Sequence, residues 1–191
     1  MRYTEVDVFT DTLTEGNPVA VVHDADGLSD ETMAAFARWT NLSETTFLLR
    51  PADPGADYRL RIFTPAGELP FAGHPTLGSA RAWVEAGGVG RTPGVVAQEC
   101  GVGLVPVRVH DEGAAFAAPP LRRSGPADEA TRALVVRSLR VHPDAVRAVE
   151  WVDNGPGWVA ALLGAADEVL ALEPDYAAMA DQPVGVVAPH A

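Results

Sequence analysis

His74 and Glu44 are the two side chains whose types and surroundings best suit proton transfer in this sequence. His74 sits between Gly73 and Pro75, in a Gly- and Pro-rich turn within residues 63–80. Its imidazole can donate or accept a proton near neutral pH. Pro75 suits the first turn of a helix, where its missing N–H would have no partner in any case. Such a helix start directs unpaired N–H groups and a positive dipole end at whatever lies in front of it. That is a place for a small carboxylate. Glu44 lies in the run Asn41-Leu42-Ser43-Glu44-Thr45-Thr46-Phe47, where a loop enters an apolar strand. A rigid scaffold commonly holds a working carboxylate at such a point. Each residue also has a plainer reading, since a lone Glu at a strand start is usually solvated and a lone helix-end His is usually structural.

The elements that must hold these residues follow from periodicity. Leu77, Ala80, Trp83 and Val84 recur with helical spacing over 75–86, and Gly87-Gly88 ends the run. Residues 29–39 read as a helix with Ser29 as N-cap and Asp30 and Glu31 in the first turn. Strands are expected at 1–10, at 18–23 after the Gly16-Asn17-Pro18 turn, at 44–50 and at 58–64. A hairpin follows at 94–99 and 102–110, with Pro106 demoting part of it to an edge. Phe116 falls in a short strand before the Pro119-Pro120 break. Glu68 is expected to brace its turn, the four tryptophans to lie in the core, and His23, His110, His142 and His190 to lie at the surface.

Beyond residues 119–127, a Pro/Gly-rich stretch read as a linker, the chain repeats its order of elements. A helix at 128–140 and a strand at 146–152 lead to the turn 153–157, a strand at 158–163, a helix at 174–180 and a strand at 184–188. The turn into Trp158-Val159-Ala160 parallels Gly16-Asn17-Pro18 leading into Val19-Ala20-Val21. The expected organisation is a first lobe over 1–118, the linker, and a partial second lobe over 128–191.

Composition narrows the function. Apolar residues make up 47% of 191 residues, enough to bury a core. No apolar run reaches the roughly 18–20 residues needed to cross a bilayer, and the N-terminus lacks a basic-then-apolar signal pattern. A net charge of −12 opposes binding to nucleic acid or an anionic membrane. The single Cys100 excludes an intrachain disulfide and a cysteine-cluster metal site, which fits a reducing, cytoplasmic setting. All fourteen basic residues are Arg, so lysine Schiff-base chemistry and a lysine-ended phosphate loop are unavailable to this chain.

Three motifs, in this order and spacing, resemble the PhzF-like (phenazine biosynthesis) family of the diaminopimelate epimerase-like superfamily. They are Gly16-Asn17-Pro18-Val19-Ala20-Val21, Asn41-Leu42-Ser43-Glu44-Thr45-Thr46-Phe47, and Phe63-Thr64-Pro65 followed by Glu68-Leu69-Pro70-Phe71-Ala72-Gly73-His74-Pro75-Thr76. The resemblance implies an α+β fold of two pseudo-symmetric lobes, each a mixed sheet around a central helix, here covering roughly the family's first two-thirds with the second lobe incomplete. It implies a cofactor-independent isomerase or epimerase, without metal, acting on a small carboxylate-bearing metabolite, with either a homodimer or completion by further C-terminal residues expected. Glu44 would be the general acid/base and His74 would polarise or orient the substrate. Gly73, Ser43, Asn17 and Thr76 would bind it. A cysteine pair, used elsewhere in the superfamily, is not expected, because Cys100 lies outside any matching motif. The competing reading is a truncated, catalytically silent binding or scaffold protein that keeps the first-lobe pocket.

Overall fold

The computed structural model describes residues 2–111, 113–154 and 156–190. The chain divides into two compact units, residues 1–118 and 119–191. The first contains strands β1 (Tyr3–Val8), β2 (Asn17–Val22), β3 (Glu44–Leu49), β4 (Tyr58–Thr64), β5 (Gly67–Leu69), β6 (Val95–Cys100), β7 (Gly103–His110) and β8 (Gly113–Phe116), with helices α1 (Asp30–Thr40) and α2 (Gly73–Glu85). The strands form one mixed sheet in the order β1-β2-β3-β4-β6-β7-β8, with β5 paired to β4. β2 runs antiparallel to β1 and parallel to β3, and α1 makes the crossover.

The sheet wraps around α2, which touches β1, β2, β3, β4, β7 and β8. Close approach is possible because Gly78 has no side chain. A Cβ there would sit 2.5 Å from Val19 Cγ1 and 2.9 Å from Val8 Cγ2, well inside van der Waals contact. Successive residues of a strand face opposite sides, and here both sides are filled. Val19, Val21, Leu48, Leu60 and Ile62 form a core with Ala82 of α2. On the other face Val22, Phe47 and Phe63 pack with Met33 and Ala37 of α1.

The second unit has β9 (Arg123–Pro126), β10 (Ala148–Asp153), β11 (Val159–Leu162) and β12 (Val184–Val187), with α3 (Glu129–Leu139), α4 (Ala166–Leu170) and α5 (Tyr176–Met179). Its sheet has the order β12-β11-β10-β9. β11 is antiparallel to β10 and parallel to β12. Val135 and Leu139 of α3 pack on Val149, Trp151, Val159 and Ala161. The turn at 153–157 is closed by the Gly157 N–H donating to Asp153 Oδ1 at 2.6 Å; Gly155 in that turn, like Met1 and Ala191 at the ends of the expected lobes, lies outside the described residues.

Several expectations need correcting. Within the 119–127 segment read as a linker, residues 123–126 form β9, paired to β10 in the register Trp151↔Gly125. Arg, Ser, Gly and Pro carry no strand signal, so only the long-range partner makes this segment extended. Pro106 is not in an edge strand, because β7 lies between β6 and β8. Its partner Ala97 turns both its N–H and its C=O to Asp57, so Pro106 faces a non-hydrogen-bonded position of the ladder. Phe116, the last residue of β8, pairs with Val107 and stops one residue short of it, so the missing N–H costs no bond. Trp39 is 77% exposed and Trp158 is 40% exposed. The buried stripe of α1 runs through Met33 and Ala37, and a residue two positions beyond Ala37 points away from it. His23 is buried rather than superficial, with Arg2 Nη2 3.0 Å from its Nδ1 and Thr4 Oγ1 3.0 Å from its Nε2.

Candidate active site

Glu44 opens β3, opposite Val19 of β2. His74 lies in the first turn of α2, whose N-cap Ala72 provides no side-chain hydrogen bond. The amides at this helix start therefore have no side-chain cap, and they carry the positive end of the dipole of a 13-residue helix. The fold brings the two candidates together: Glu44 Oε2 is 3.3 Å from His74 Nδ1, with side chains only 15% and 8% exposed. Despite that approach, Glu44 Oε2 has no hydrogen-bond partner, and neither has His74 Nε2. Buried polar atoms are almost always paired, so two orphans side by side mark a place where a further polar group is wanted.

Burial sets the protonation of the pair. It raises the Glu44 carboxyl above its ordinary range. It lowers His74, against a smaller opposing pull from a hydrogen bond with the Pro18 backbone. Both shifts disfavour the charged form, as desolvation does. The two shifts oppose the ion pair that the distance alone suggests, since each weakens the charged form of its group. A carboxyl group raised in this way can both give and recover a proton closer to neutrality.

The other expected residues divide. Ser43 Oγ donates to Asn17 Oδ1 at 3.2 Å. This pair adjoins the first through the chain, since Ser43 precedes Glu44 and Asn17 precedes Pro18. Gly73 is half-buried, and a Cβ on it would lie 3.2 Å from the Phe116 ring. Thr76 is fully buried, and its hydroxyl accepts from Gln98 Nε2 at 3.1 Å. It belongs to the support behind the helix rather than to the open side. Glu68 accepts twice from Arg61, at 2.7 Å each, and so braces β5 on β4. Cys100 lies at the β6–β7 turn with Sγ 3.6 Å from the Gly103 carbonyl.

Sequence reasoning missed Phe9. Its ring centroid is 6.4 Å from that of His74, and it is 72% exposed with φ at +70°. An aromatic residue in that conformation is uncommon, and no local pattern announces it. The reading also missed Thr46, Ser79 and Gln98, all fully buried; uncharged polar residues beside apolar ones were their one signal. Among the described residues no group of three or more His, Cys, Asp or Glu gathers to hold a metal ion, and no helix is long and apolar enough to cross a membrane.

A mixed sheet wrapped on a central helix defines an α+β protein of the epimerase-like fold. The phenazine biosynthesis-like family model matches residues 6–191, and the chain belongs to that family. It is 42% identical over 186 residues to antisense-enhancing sequence 1 of Schizosaccharomyces pombe, covering 91% of this chain and 61% of that protein. It is 37% identical over 183 residues to trans-2,3-dihydro-3-hydroxyanthranilate isomerase of Pseudomonas aeruginosa, covering 95% of this chain and 64% of that one. The chain thus spans less than two-thirds of the length of these curated relatives. The crystal structure of a PhzF-family phenazine biosynthesis protein from Bacillus anthracis shares the fold, with a TM-score of 0.77 at 22% identity over 100% of this chain and 68% of the other.

Proposed function

We propose that this chain carries the first acid/base group and the carboxylate-binding helix end of a cofactor-independent isomerase. The observation that carries the reading is the pair of buried, unpartnered atoms, Glu44 Oε2 and His74 Nε2, at the uncapped start of α2. In its ionised form Glu44 takes a proton from a carbon of the substrate, and the same carboxyl returns a proton to another carbon of the conjugated system. Atoms and electrons balance within the substrate, with one C–H bond broken, one formed and the double bonds shifted between them. The Gly73 and His74 amides hold the substrate carboxylate, and such donors act without reorganising as charge develops. His74 Nε2 orients a polar group of the substrate, and Ser43 with Asn17 lines the approach. Thr76 supports the helix from behind.

The isomerase name of the Pseudomonas relative supports an unsaturated ring carboxylate as the substrate class. The same reading takes the protein to be cytoplasmic and homodimeric, and sedimentation of the purified chain tests the second point. To test the chemistry, the chain is incubated with trans-2,3-dihydro-3-hydroxyanthranilate in D2O and followed by NMR. Conversion with solvent deuterium entering a ring C–H, abolished in Glu44→Gln, is expected. Conversion that survives Glu44→Gln overturns the assignment of Glu44. Tight binding without conversion favours the competing reading of a silent binding protein, a reading that the non-enzymatic name of the fission-yeast relative also suits.

A further inference from the structure

The side chains next to Glu44 and His74 form a second connection between the same two elements. Thr46 lies on β3 two residues beyond Glu44 and so faces the same side of the sheet. Ser79 lies on α2, as His74 does. Their hydroxyl oxygens are 2.8 Å apart and both residues are fully buried. Thr46 Oγ1 also donates to the Ala20 carbonyl at 3.1 Å. A hydroxyl has one proton; that of Thr46 is committed to Ala20, so the Ser79 hydroxyl donates to Thr46. The direction of the chain is thus fixed, from α2 to β3 to β2.

Thr45, on the opposite side of β3, makes the corresponding connection to α1. Its hydroxyl is 2.7 Å from that of Thr40, whose own proton goes to the Ala37 carbonyl. Adjacent threonines therefore tie β3 to a different helix on each face. Behind α2, Tyr58 donates to Gln98 and Gln98 donates to Thr76. All three are buried in a core where apolar side chains would fill the same space without needing partners. Hydrogen bonds are directional, whereas apolar contacts let a helix slide or turn by fractions of an ångström. A Glu–His pair at 3.3 Å is sensitive to such movements.

We propose that Thr46 and Ser79 are positioning residues that hold α2 against β3 so that His74 meets Glu44. The proposal rests on the isomerase reading only for its effect on turnover; the effect on geometry stands apart from it. The groups facing His74 are Glu44 from β3, the Pro18 backbone from β2 and the Phe9 ring that follows β1. Among the described residues Glu44 is the one acidic group within ion-pair distance of the imidazole.

The test uses the whole chain as Thr46→Val, Ser79→Ala, the double variant, and Thr46→Ser. His74 is followed by 15N NMR titration of its imidazole, with His74→Asn assigning its signal among the five histidines. Thr46→Val alone should lower Tm, because it leaves the Ser79 hydroxyl buried without an acceptor. Removing both partners should bring Tm back close to wild type. In that stable double variant the His74 titration should move up toward the ordinary histidine value, and turnover of trans-2,3-dihydro-3-hydroxyanthranilate should fall about tenfold at saturation with KM little changed. Thr46→Ser, which keeps the hydroxyl, should behave as wild type. A double variant with an unchanged His74 titration overturns the proposal. Should the double variant not fold, Ser79→Ala is read in its place, since Thr46 there keeps its bond to Ala20. If the titration moves as expected while the wild-type chain turns nothing over, the positioning role stands and the isomerase reading falls.

Discussion

β2 and β11 hold the same place in their sheets, each antiparallel to the strand before it and parallel to the strand after it. Yet every residue of Val19–Val22 is buried, whereas β11 buries Val159 and Ala161 and leaves Leu162 36% exposed. Around β11, Val152, Trp158 and Val187 are exposed as well. The first sheet has α1 on one face and α2 on the other; the helices of the second unit pack with its Val159 and Ala161 face. The difference extends to the polar groups. Among the described residues, the buried side-chain atoms without partners are Asp7 Oδ1, Glu44 Oε2 and His74 Nε2 in the first unit and Trp151 Nε1 in the second. An indole does not titrate near neutrality, but a carboxyl and an imidazole can. Two-sided burial is what turns a surface carboxylate into a group with a raised pKa, and only the first sheet provides it among the described residues.

Removing that group should give the largest effect. Glu44→Gln is expected to lower turnover by about 10³-fold, within the range typical of a lost general acid/base. The same substitution should raise Tm at pH 8. The folded-state pKa of Glu44 is raised, so the favourable neutral form is fully present below the ordinary glutamate range and is lost as pH rises through the raised value. Above that raised value the wild type buries a carboxylate, and glutamine buries none. A variant that loses activity and also loses stability at pH 8 would break the link between burial and function drawn here.

The comparison of faces is sharpened by two truncations. Ile62→Ala, in the doubly covered sheet, should cost about 2–5 kcal/mol, as deletion of a buried aliphatic side chain does. Leu162→Ala, on the open face of β11, should cost less than about 1 kcal/mol, since little of its contact is lost. Urea denaturation read separately on each unit checks both. Equal costs would mean that the face of β11 is covered in solution.

The pair should also shape the pH dependence of folding. His74 is lowered by burial, so its neutral form contributes stability that is fully present above the ordinary histidine value. That contribution is lost as pH falls through the window between the ordinary value and the lowered one. Thermal unfolding from pH 7.5 to 5 should show Tm declining in wild type and declining by a few degrees less in His74→Asn.

How much of this could be read from sequence depended on whether the cause was local. The period of Leu77, Ala80 and Val84 with Pro75 placed α2, and Ser29 with its acidic first turn placed α1, because caps and stripes are short-range signals. β9 was invisible, since Arg123–Pro126 owes its extension to β10, and α4 is a five-residue helix too short to show a period. Glu44 and His74 could be singled out because three motifs in order point to them. Their 3.3 Å approach could not be read from spacing, as it depends on how Gly78 lets α2 seat on the sheet. Thr45 and Thr46 suit a strand locally, and their opposite ties to α1 and α2 are visible only in three dimensions.

The smallest expected effect concerns backbone conformation. Phe9 has φ at +70° in the first unit, and Arg140 has φ at +56° in the second. Arg140 is the C-cap of α3, a position where the left-handed conformation is routine and glycine is preferred. Phe9 follows a strand and lies beside His74, where no regular element calls for that conformation. Replacing either residue by glycine relieves a strain of about 1 kcal/mol or slightly more, and greater freedom of the unfolded chain offsets about 0.5–1 kcal/mol of it. Both variants should therefore unfold within about 1 kcal/mol of wild type, with Arg140→Gly leaving the His74 titration untouched. Phe9→Gly removes a ring from the side of the imidazole and opens it to water, so it should move that titration upward at nearly constant stability. If instead Phe9→Gly costs several kcal/mol, its exposed ring must be packing against something in solution, and the strain would be a consequence of that packing rather than a feature of the site.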